Sequence, residues 1–313
     1  MPTKQKDRPQ LLTKGVNDMA KKWCLAIDIS RCSGCGSCEL SVQDEYTGNN
    51  YPGFSAPVPD EGVHWLWLKE YTYGHGTKIK RDYVPVMFPH DRNFDPKDIP
   101  GCPEGAVVVR EDGLTVIVPE KAKGCKAIYD YFEKKYPGTV FWNEELQLPQ
   151  TYIMDAHRLD EGEKLPRCVE DCPNQAMHWG DLNDPESDVS KFIAEHEGQL
   201  EDFFPADNGE DYVVRYYRIP KPFIAGEVIT ADGECAEHVR VTLTDKDGNV
   251  SEMYTDFFGD LEFQRLEMNE TYTVTVDAPG AEPIKVLIDD SKNLGEIQIA
   301  LTRDELLARE GVK

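Results

Sequence analysis

Three cysteines in the run Arg31-Cys-Ser-Gly-Cys-Gly-Ser-Cys38 stand at strict three-residue spacing, and the position where a fourth would complete the run is Val42. That gap decides what the run can hold. In the iron-sulfur pattern C-x2-C-x2-C-x3-C-P, the first three cysteines bind one cubane cluster while the fourth reaches across to the other. Loss of position 42 therefore damages a different cluster. The group held by Cys32, Cys35 and Cys38 needs its last thiolate from a distant Cys-Pro, and Cys168-Val-Glu-Asp-Cys172-Pro173 supplies one. The expected ligand set for one 4Fe-4S cluster is Cys32, Cys35, Cys38 and Cys172. Free thiols, a zinc site and a disulfide framework are the competing readings. Zinc favours two separated C-x2-C knuckles, and disulfide scaffolds belong to short, cysteine-dense secreted chains. A triplet paired with a remote Cys-Pro in a chain of 313 residues matches neither.

That length accommodates about two domains. Hydrophobic residues make up 40%, and no run of eighteen apolar residues occurs, so no membrane span is expected. A formal net charge of -24 argues against nucleic acid as a partner, because phosphates attract basic surfaces. Residues 1–22 are polar and locally basic (Lys4, Lys6, Arg8, Lys14, Lys21, Lys22), without the apolar core of a signal peptide. They read as a tail, and a cytoplasmic location is expected.

The first two-thirds of the chain repeats itself. Lys121-Ala-Lys-Gly-Cys125-Lys-Ala-Ile128 shares the frame of the first motif: Ala122 stands for Cys32, Cys125 for Cys35, Ile128 for Cys38 and Phe132 for Val42. Cys102-Pro-Glu-Gly-Ala-Val repeats Cys172-Pro-Asn-Gln-Ala-Met. Two fused ferredoxin-type units follow, the second degenerate, with apolar side chains filling volume that a cluster would occupy. Cys102 and Cys125 are expected to behave as buried small hydrophobes. Cys24 belongs to a strand leading into the first loop, and Cys235 to a turn far downstream.

Several phrases now carry a resemblance: Asp44-Glu-Tyr, Tyr51-Pro-Gly-Phe, His64-Trp-Leu-Trp-Leu, Arg110-Glu-Asp-Gly-Leu, Trp142-Asn-Glu-Glu, Ala156-His-Arg-Leu-Asp-Glu-Gly-Glu and Pro166-Arg-Cys. The chain from about Trp23 onward resembles the iron-sulfur subunits of molybdopterin enzymes in the dimethyl sulfoxide reductase superfamily, and within them the transhydroxylase-type small subunits. The resemblance implies several cubane clusters and a large molybdopterin catalytic subunit, with molybdenum or tungsten, as partner. This sequence departs from the pattern. The C-x2-C of the second motif falls near Phe88 and Asp91 with a third ligand near Asp98, and that of the fourth falls on Tyr152 and Asp155, leaving Cys168 without companions. In the family the surviving cluster lies nearest the catalytic subunit, so a relay onward to an outside acceptor looks cut.

From about Ile219 the periodicity changes. Val239-Arg-Val-Thr-Leu243, Tyr272-Thr-Val-Thr-Val276, Ile284-Lys-Val-Leu-Ile288 and Ile297-Gln-Ile-Ala-Leu301 read as strands, with Asp247-Gly-Asn and Phe258-Gly-Asp as turns. The predicted fold class is α+β: a double ferredoxin-like iron-sulfur domain over 23–181, an acidic linker or docking segment over 182–218, a small all-β sandwich (transthyretin-like or Ig-like) over 219–303 and a tail over 304–313. No catalytic constellation is found in the chain. Trp65, Trp67, Tyr71 and Tyr73 alternate as strand residues packing a core, and His157 reads as a satisfied structural histidine.

Three functions compete. The first is an iron-sulfur accessory subunit, non-catalytic itself, of a complex whose large subunit transfers hydroxyl groups between phenolic rings. Such a reaction is redox-neutral and tolerates a truncated relay. The second is an electron-transfer subunit of a net oxidoreductase, such as an aromatic hydroxylase or reductive dehydroxylase, for which a continuing chain of centres is expected. The third is a binding or structural protein on a degenerate ferredoxin fold.

Overall fold

The computed structural model describes residues 21–75, 78–206 and 208–310. The basic tail expected over 1–22 lies outside them but for Lys21 and Lys22. The chain divides into two compact units, the first comprising Met1–Lys69 with Tyr83–Ile219 and the second Glu70–Asp82 with Pro220–Lys313.

The first unit begins with β1 (Trp23–Asp28), followed by a 3-10 turn (Ile29–Arg31) and helix α1 (Ser37–Tyr46). A hairpin, β2 (Leu66–His75) and β3 (Lys78–Met87), leaves this unit and returns to it. Next come the short pairs β4 (Val107–Val109) and β5 (Thr115–Ile117), helices α2 (Pro119–Ala122) and α3 (Lys126–Lys135), and the pair β6 (Val140–Asn143) and β7 (Leu148–Thr151). Helices α4 (Ala156–Glu161) and α5 (Arg167–Glu170), β8 (Met177–Asp181), α6 (Asp188–Glu195), β9 (Leu200–Glu201) and β10 (Val214–Tyr217) complete it.

Trp-Cys-Leu-Ala-Ile-Asp of β1 is buried along its whole length, as a strand covered on both faces must be. It lies between β8, antiparallel, and β10, parallel, in the order β8-β1-β10-β9. Cys24 and Ala26 face Val189 and Phe192 of α6 in one small core. Segment 182–218, acidic enough to read as a linker, thus contributes a helix and two strands to this unit, because its apolar residues recur at helical and strand spacing among the charges.

In the second unit, β14 (Asp260–Phe263), β11 (Ile224–Ile229) and β17 (Lys292–Gln298) form one sheet, with β11 and β17 parallel. Strands β13 (Val250–Tyr254), β12 (Arg240–Thr244), β15 (Thr271–Val276) and β16 (Ile284–Leu287) form an antiparallel second. Alternate side chains of β12 and β15, Val241, Leu243, Val274 and Val276, join Val228, Leu261, Phe263 and Ile297 in one core, the period-two burial of strands with one covered face. Leu306 of α7 (Arg303–Glu310) enters the same core, so part of the expected tail is packed helix. The hairpin tip 70–82 also clusters here: Lys78 pairs with Asp260, Lys80 with Glu262, and the Tyr73 ring lies 5.5 Å from Phe223.

Candidate metal centre

The four predicted cysteines come together because of how β1 and β8 pair. Trp23 lies opposite Asp181 and Ile27 opposite Met177, and the Asp28 amide donates to the Ala176 carbonyl at 2.7 Å. The loop leaving the end of β1 and the loop arriving at the start of β8 are therefore neighbours. One carries Cys32, Cys35 and Cys38, the other Cys172. Asn174 Nδ2 donates to Ser33 Oγ at 2.6 Å and ties the two together.

Local chemistry shapes the triplet. Asp28 caps the 3-10 turn, accepting from the Ser30 amide at 3.0 Å and the Ser30 hydroxyl at 2.6 Å, as an Asp at an N-cap does. Gly34 and Gly36 both adopt left-handed backbone, φ +70 and +78, a region that costs a side-chain-bearing residue about 1–2 kcal/mol. At Gly34 a Cβ would also stand 2.5 Å from the Tyr83 ring, whereas at Gly36 it would meet nothing within 4 Å. Helix α1 then starts at Ser37 and carries Cys38 on its buried side.

Cys32, Cys35, Cys38 and Cys172 line one cavity of about 320 Å³, a volume that includes space open to solvent. Leu68, Pro85, Ala176 and Met177 supply apolar walls, and no charged side chain lines it. Cys35 is exposed and Cys38 buried. Hydrogen bonds from the Ser37 backbone and hydroxyl hold the Cys35 thiol below its ordinary value. Burial, followed by the neighbouring sulfurs of Cys32 and Cys172, pushes Cys38 up to about 12. The Ala176 amide donates to the Cys172 sulfur at 3.4 Å, the kind of contact that tunes a metal-bound thiolate. Among the described residues, no three His, Cys, Asp or Glu side chains are grouped so that they could hold a metal ion directly. The four thiols rim a space instead. As a donor set, four sulfurs without a competing carboxylate fit a soft, polynuclear iron group.

The positions expected to have lost ligands are filled in two ways. Val42, Tyr152 and Asp155 are all buried, as is the companionless Cys168. Asp155 accepts from Tyr46 Oη at 2.6 Å and from the Arg167 amide at 2.7 Å, while Tyr152 Oη stands 3.3 Å from both Asp155 Oδ2 and Cys168 Sγ. Burial raises the Asp155 carboxyl above its ordinary value, against these hydrogen bonds. Cys168 thus sits in a polar network, outside the cavity of the other four. Elsewhere the filling is aromatic: the Phe132 ring lies 5.0 Å from Phe88 and 5.1 Å from Phe94, and Phe88 lies 5.4 Å from Tyr136. Ala122 and Ile128 are fully buried, as volume-filling residues should be.

The expectation for Cys102 and Cys125 needs correcting. Both are only half-buried, not core side chains. Cys24 is buried in β1, where desolvation pushes its thiol up to about 11. His157 is buried, stacked on Tyr51 with ring centres 3.8 Å apart, and its Nε2 lies 2.9 Å from Glu45 Oε1. Burial disfavours the charge on Glu45, but hydrogen bonds from Tyr51, His157 and Arg167 outweigh it and hold the carboxyl below the usual range. This network, like the Ser33–Asn174 tie, carried no signal in the sequence beyond the phrases that contain it.

The small subunit of pyrogallol hydroxytransferase from Pelobacter acidigallici is 32% identical over 286 residues, covering 89% of this chain and all of that protein. This chain belongs to the iron-sulfur subunit family of the dimethyl sulfoxide reductase group. Other relatives in the family include a putative dimethyl sulfoxide reductase iron-sulfur subunit from Halobacterium salinarum, 32% identical over 55% of this chain and 71% of its own, and a subunit of tetrathionate reductase from Salmonella typhimurium, 28% identical over 65% and 75%. No family model matches the chain. The shaft pilin SpaA of Lactobacillus rhamnosus GG reaches a TM-score of 0.24 with 13% identity, covering 40% of this chain and 67% of its own, too low to carry an argument. The family's members are subunits of oxidoreductase complexes, and this chain is part of an enzyme complex. Among the described residues, no helix is long and apolar enough to cross a membrane.

Proposed function

We propose that this chain is the iron-sulfur accessory subunit of a transhydroxylase-type complex, holding one 4Fe-4S cluster through Cys32, Cys35, Cys38 and Cys172. It docks on a large molybdopterin catalytic subunit that moves hydroxyl groups on phenolic rings and supplies the reaction's chemistry. The observation that carries the reading is the thiol-lined cavity, whose four sulfurs come from the facing ends of β1 and β8. Sulfurs that rim a space suit a group that spans it with one thiolate per iron, whereas a lone zinc ion demands four sulfurs at about 2.3 Å from one point. Bound there, the cluster stores and releases single electrons.

The same reading treats the first unit as a duplicated ferredoxin-like fold, the second as a β-sandwich of transthyretin or Ig type, and the compartment as the cytoplasm. Filling of the other cluster positions by Phe88, Phe132, Tyr152 and Asp155 supports a single centre. It also favours the redox-neutral reaction over an electron-transfer role in a net oxidoreductase, which needs a relay to an outside acceptor.

Iron analysis and electron paramagnetic resonance of anaerobically purified protein test the assignment. One cluster per chain is expected; Cys172→Ala abolishes or converts it, and Cys168→Ala leaves iron content and signal intact. Three or four clusters, or iron lost with Cys168 and kept without Cys172, overturns it. Turnover of the complex without a stoichiometric electron acceptor separates the transhydroxylase from the oxidoreductase reading.

A further inference from the structure

We infer that Cys102 and Cys125 form a redox-active thiol pair that closes reversibly to a disulfide by exchange with a small-molecule disulfide. Neither residue lines the four-cysteine cavity, and both are half-exposed. Cys125 Sγ lies 3.8 Å from the carbonyl oxygen of Gly101, the residue bonded to Cys102. Ordinary peptide dimensions then put that sulfur within roughly 7 Å of Cys102 Cα. The two thiols sense each other: burial raises Cys102 first, and the charge of Cys125 raises it further. Each follows a glycine in left-handed backbone, Gly101 or Gly124, φ +78 and +76, at which an added Cβ would meet nothing within 4 Å. Cys102 Sγ also lies 3.5 Å from the Pro103 carbonyl and takes a hydrogen bond from the Val107 backbone.

The chemistry balances with glutathione disulfide as oxidant. One protein thiolate attacks a sulfur of glutathione disulfide, forming a mixed disulfide and expelling one glutathione thiolate. The second protein thiolate attacks the protein sulfur of that mixed disulfide, forming the Cys102–Cys125 bond and expelling the second glutathione thiolate. Two protein thiols are oxidised, one glutathione disulfide is reduced to two glutathione thiols, and the two protons pass to those products. The second step is intramolecular, the feature that separates redox pairs from lone surface cysteines. The closed ring contains β4, β5 and α2.

The test uses the full-length, iron-loaded chain under nitrogen. After treatment with glutathione disulfide, free thiols are alkylated in denaturant and peptides are mapped by mass spectrometry. The expected result is a Cys102 peptide linked to a Cys125 peptide, rising from none to the majority of the chain and lost on adding dithiothreitol, while exposed Cys235 carries a single glutathione. In Cys125→Ser, Cys102 keeps one glutathione. Wild-type protein with separate glutathione adducts on Cys102 and Cys125, or with both unmodified when Cys235 has reacted, overturns the inference. The outcome is independent of the cluster assignment, because neither cysteine belongs to that ligand set.

Discussion

Gly34 and Gly36 offer a matched pair of substitutions in the cysteine loop. Both have left-handed backbone at nearly the same φ, +70 and +78, so alanine at either position meets the same conformational penalty of about 1–2 kcal/mol. The difference lies in what the new Cβ touches. At Gly36 it meets nothing within 4 Å, whereas at Gly34 it stands 2.5, 2.6 and 2.7 Å from three carbons of the Tyr83 ring. Carbon atoms pack best at about 3.5–4.0 Å, so the ring must retreat by roughly 1 Å. One of those carbons is Cγ, bonded directly to Cβ, and rotation of the ring about its own axis does not move it. The loop or strand must shift, and overpacking of this kind costs about 1–3 kcal/mol. Gly34→Ala is thus expected to lose about 2–5 kcal/mol against about 1–2 for Gly36→Ala, and the difference corresponds to roughly 5- to 150-fold in the population of the loop geometry that gathers the four thiols. The assays are urea unfolding of the iron-free protein and iron bound after reconstitution at limiting iron and sulfide. Gly34→Ala should be the poorer in both, and adding Tyr83→Ala should return iron uptake to the Gly36→Ala level. Equal losses for the two single variants, or no recovery in the double variant, would refute the steric argument.

Burial, with the Arg92 charge added, pushes His90 down to about 3, so the folded chain binds it neutral while the unfolded chain takes up a proton below about pH 6.5. Stability from this group is complete above that pH and falls as pH drops toward 3, by about 2 kcal/mol at pH 5; His90→Gln should flatten the pH dependence of unfolding between pH 7 and pH 5, and an unchanged slope would contradict the assignment. Phe132, buried among Phe88, Phe94 and Tyr136, should cost about 3–5 kcal/mol when replaced by Ala, whereas Phe257→Ala at an exposed turn should change unfolding by under about 0.5 kcal/mol; comparable losses would mean that the aromatic filling adds no more stability than surface contact.

The grouping of the four cysteines was legible because cysteine spacing is a local property and the Cys-Pro partner carries its own signature. The cavity that gathers Cys32, Cys35, Cys38 and Cys172 follows from one strand pair, which spacing alone does not specify. Other features were hidden for identifiable reasons. Strand β10 lies in a segment whose acidic composition resembles a linker, and only its pairing with β1 reveals it as part of a sheet. The tip of the β2–β3 hairpin clusters with a unit that begins some 140 residues later in the sequence, a grouping that no strand periodicity predicts. Cys102 and Cys125 were expected to be buried because free cysteine ordinarily behaves as a small core hydrophobe; the volume argument holds for Ala122 and Ile128, while the two thiols are only half-buried. The polar network of Tyr46, Tyr152 and Asp155 was equally hidden, since an Asp at a lost ligand position gives no sign of which hydroxyls will reach it.

The pairing of β1 with β8 also sets a clock on biogenesis. During synthesis the Cys32–Cys38 loop emerges early, but the strand that brings Cys172 to it is not yet made. At about 5–20 residues per second, on the order of ten seconds separate the two. Until β8 closes on β1, the triplet is a set of three thiols without the wall that Cys172, Ala176 and Met177 provide. With the ligand set proposed above, iron delivered at that stage meets an open loop with three of the four thiols. On that assignment, insertion of the metal group is a late event, one that waits for the long-range strand contact and that a cell must schedule after most of the first unit has left the ribosome.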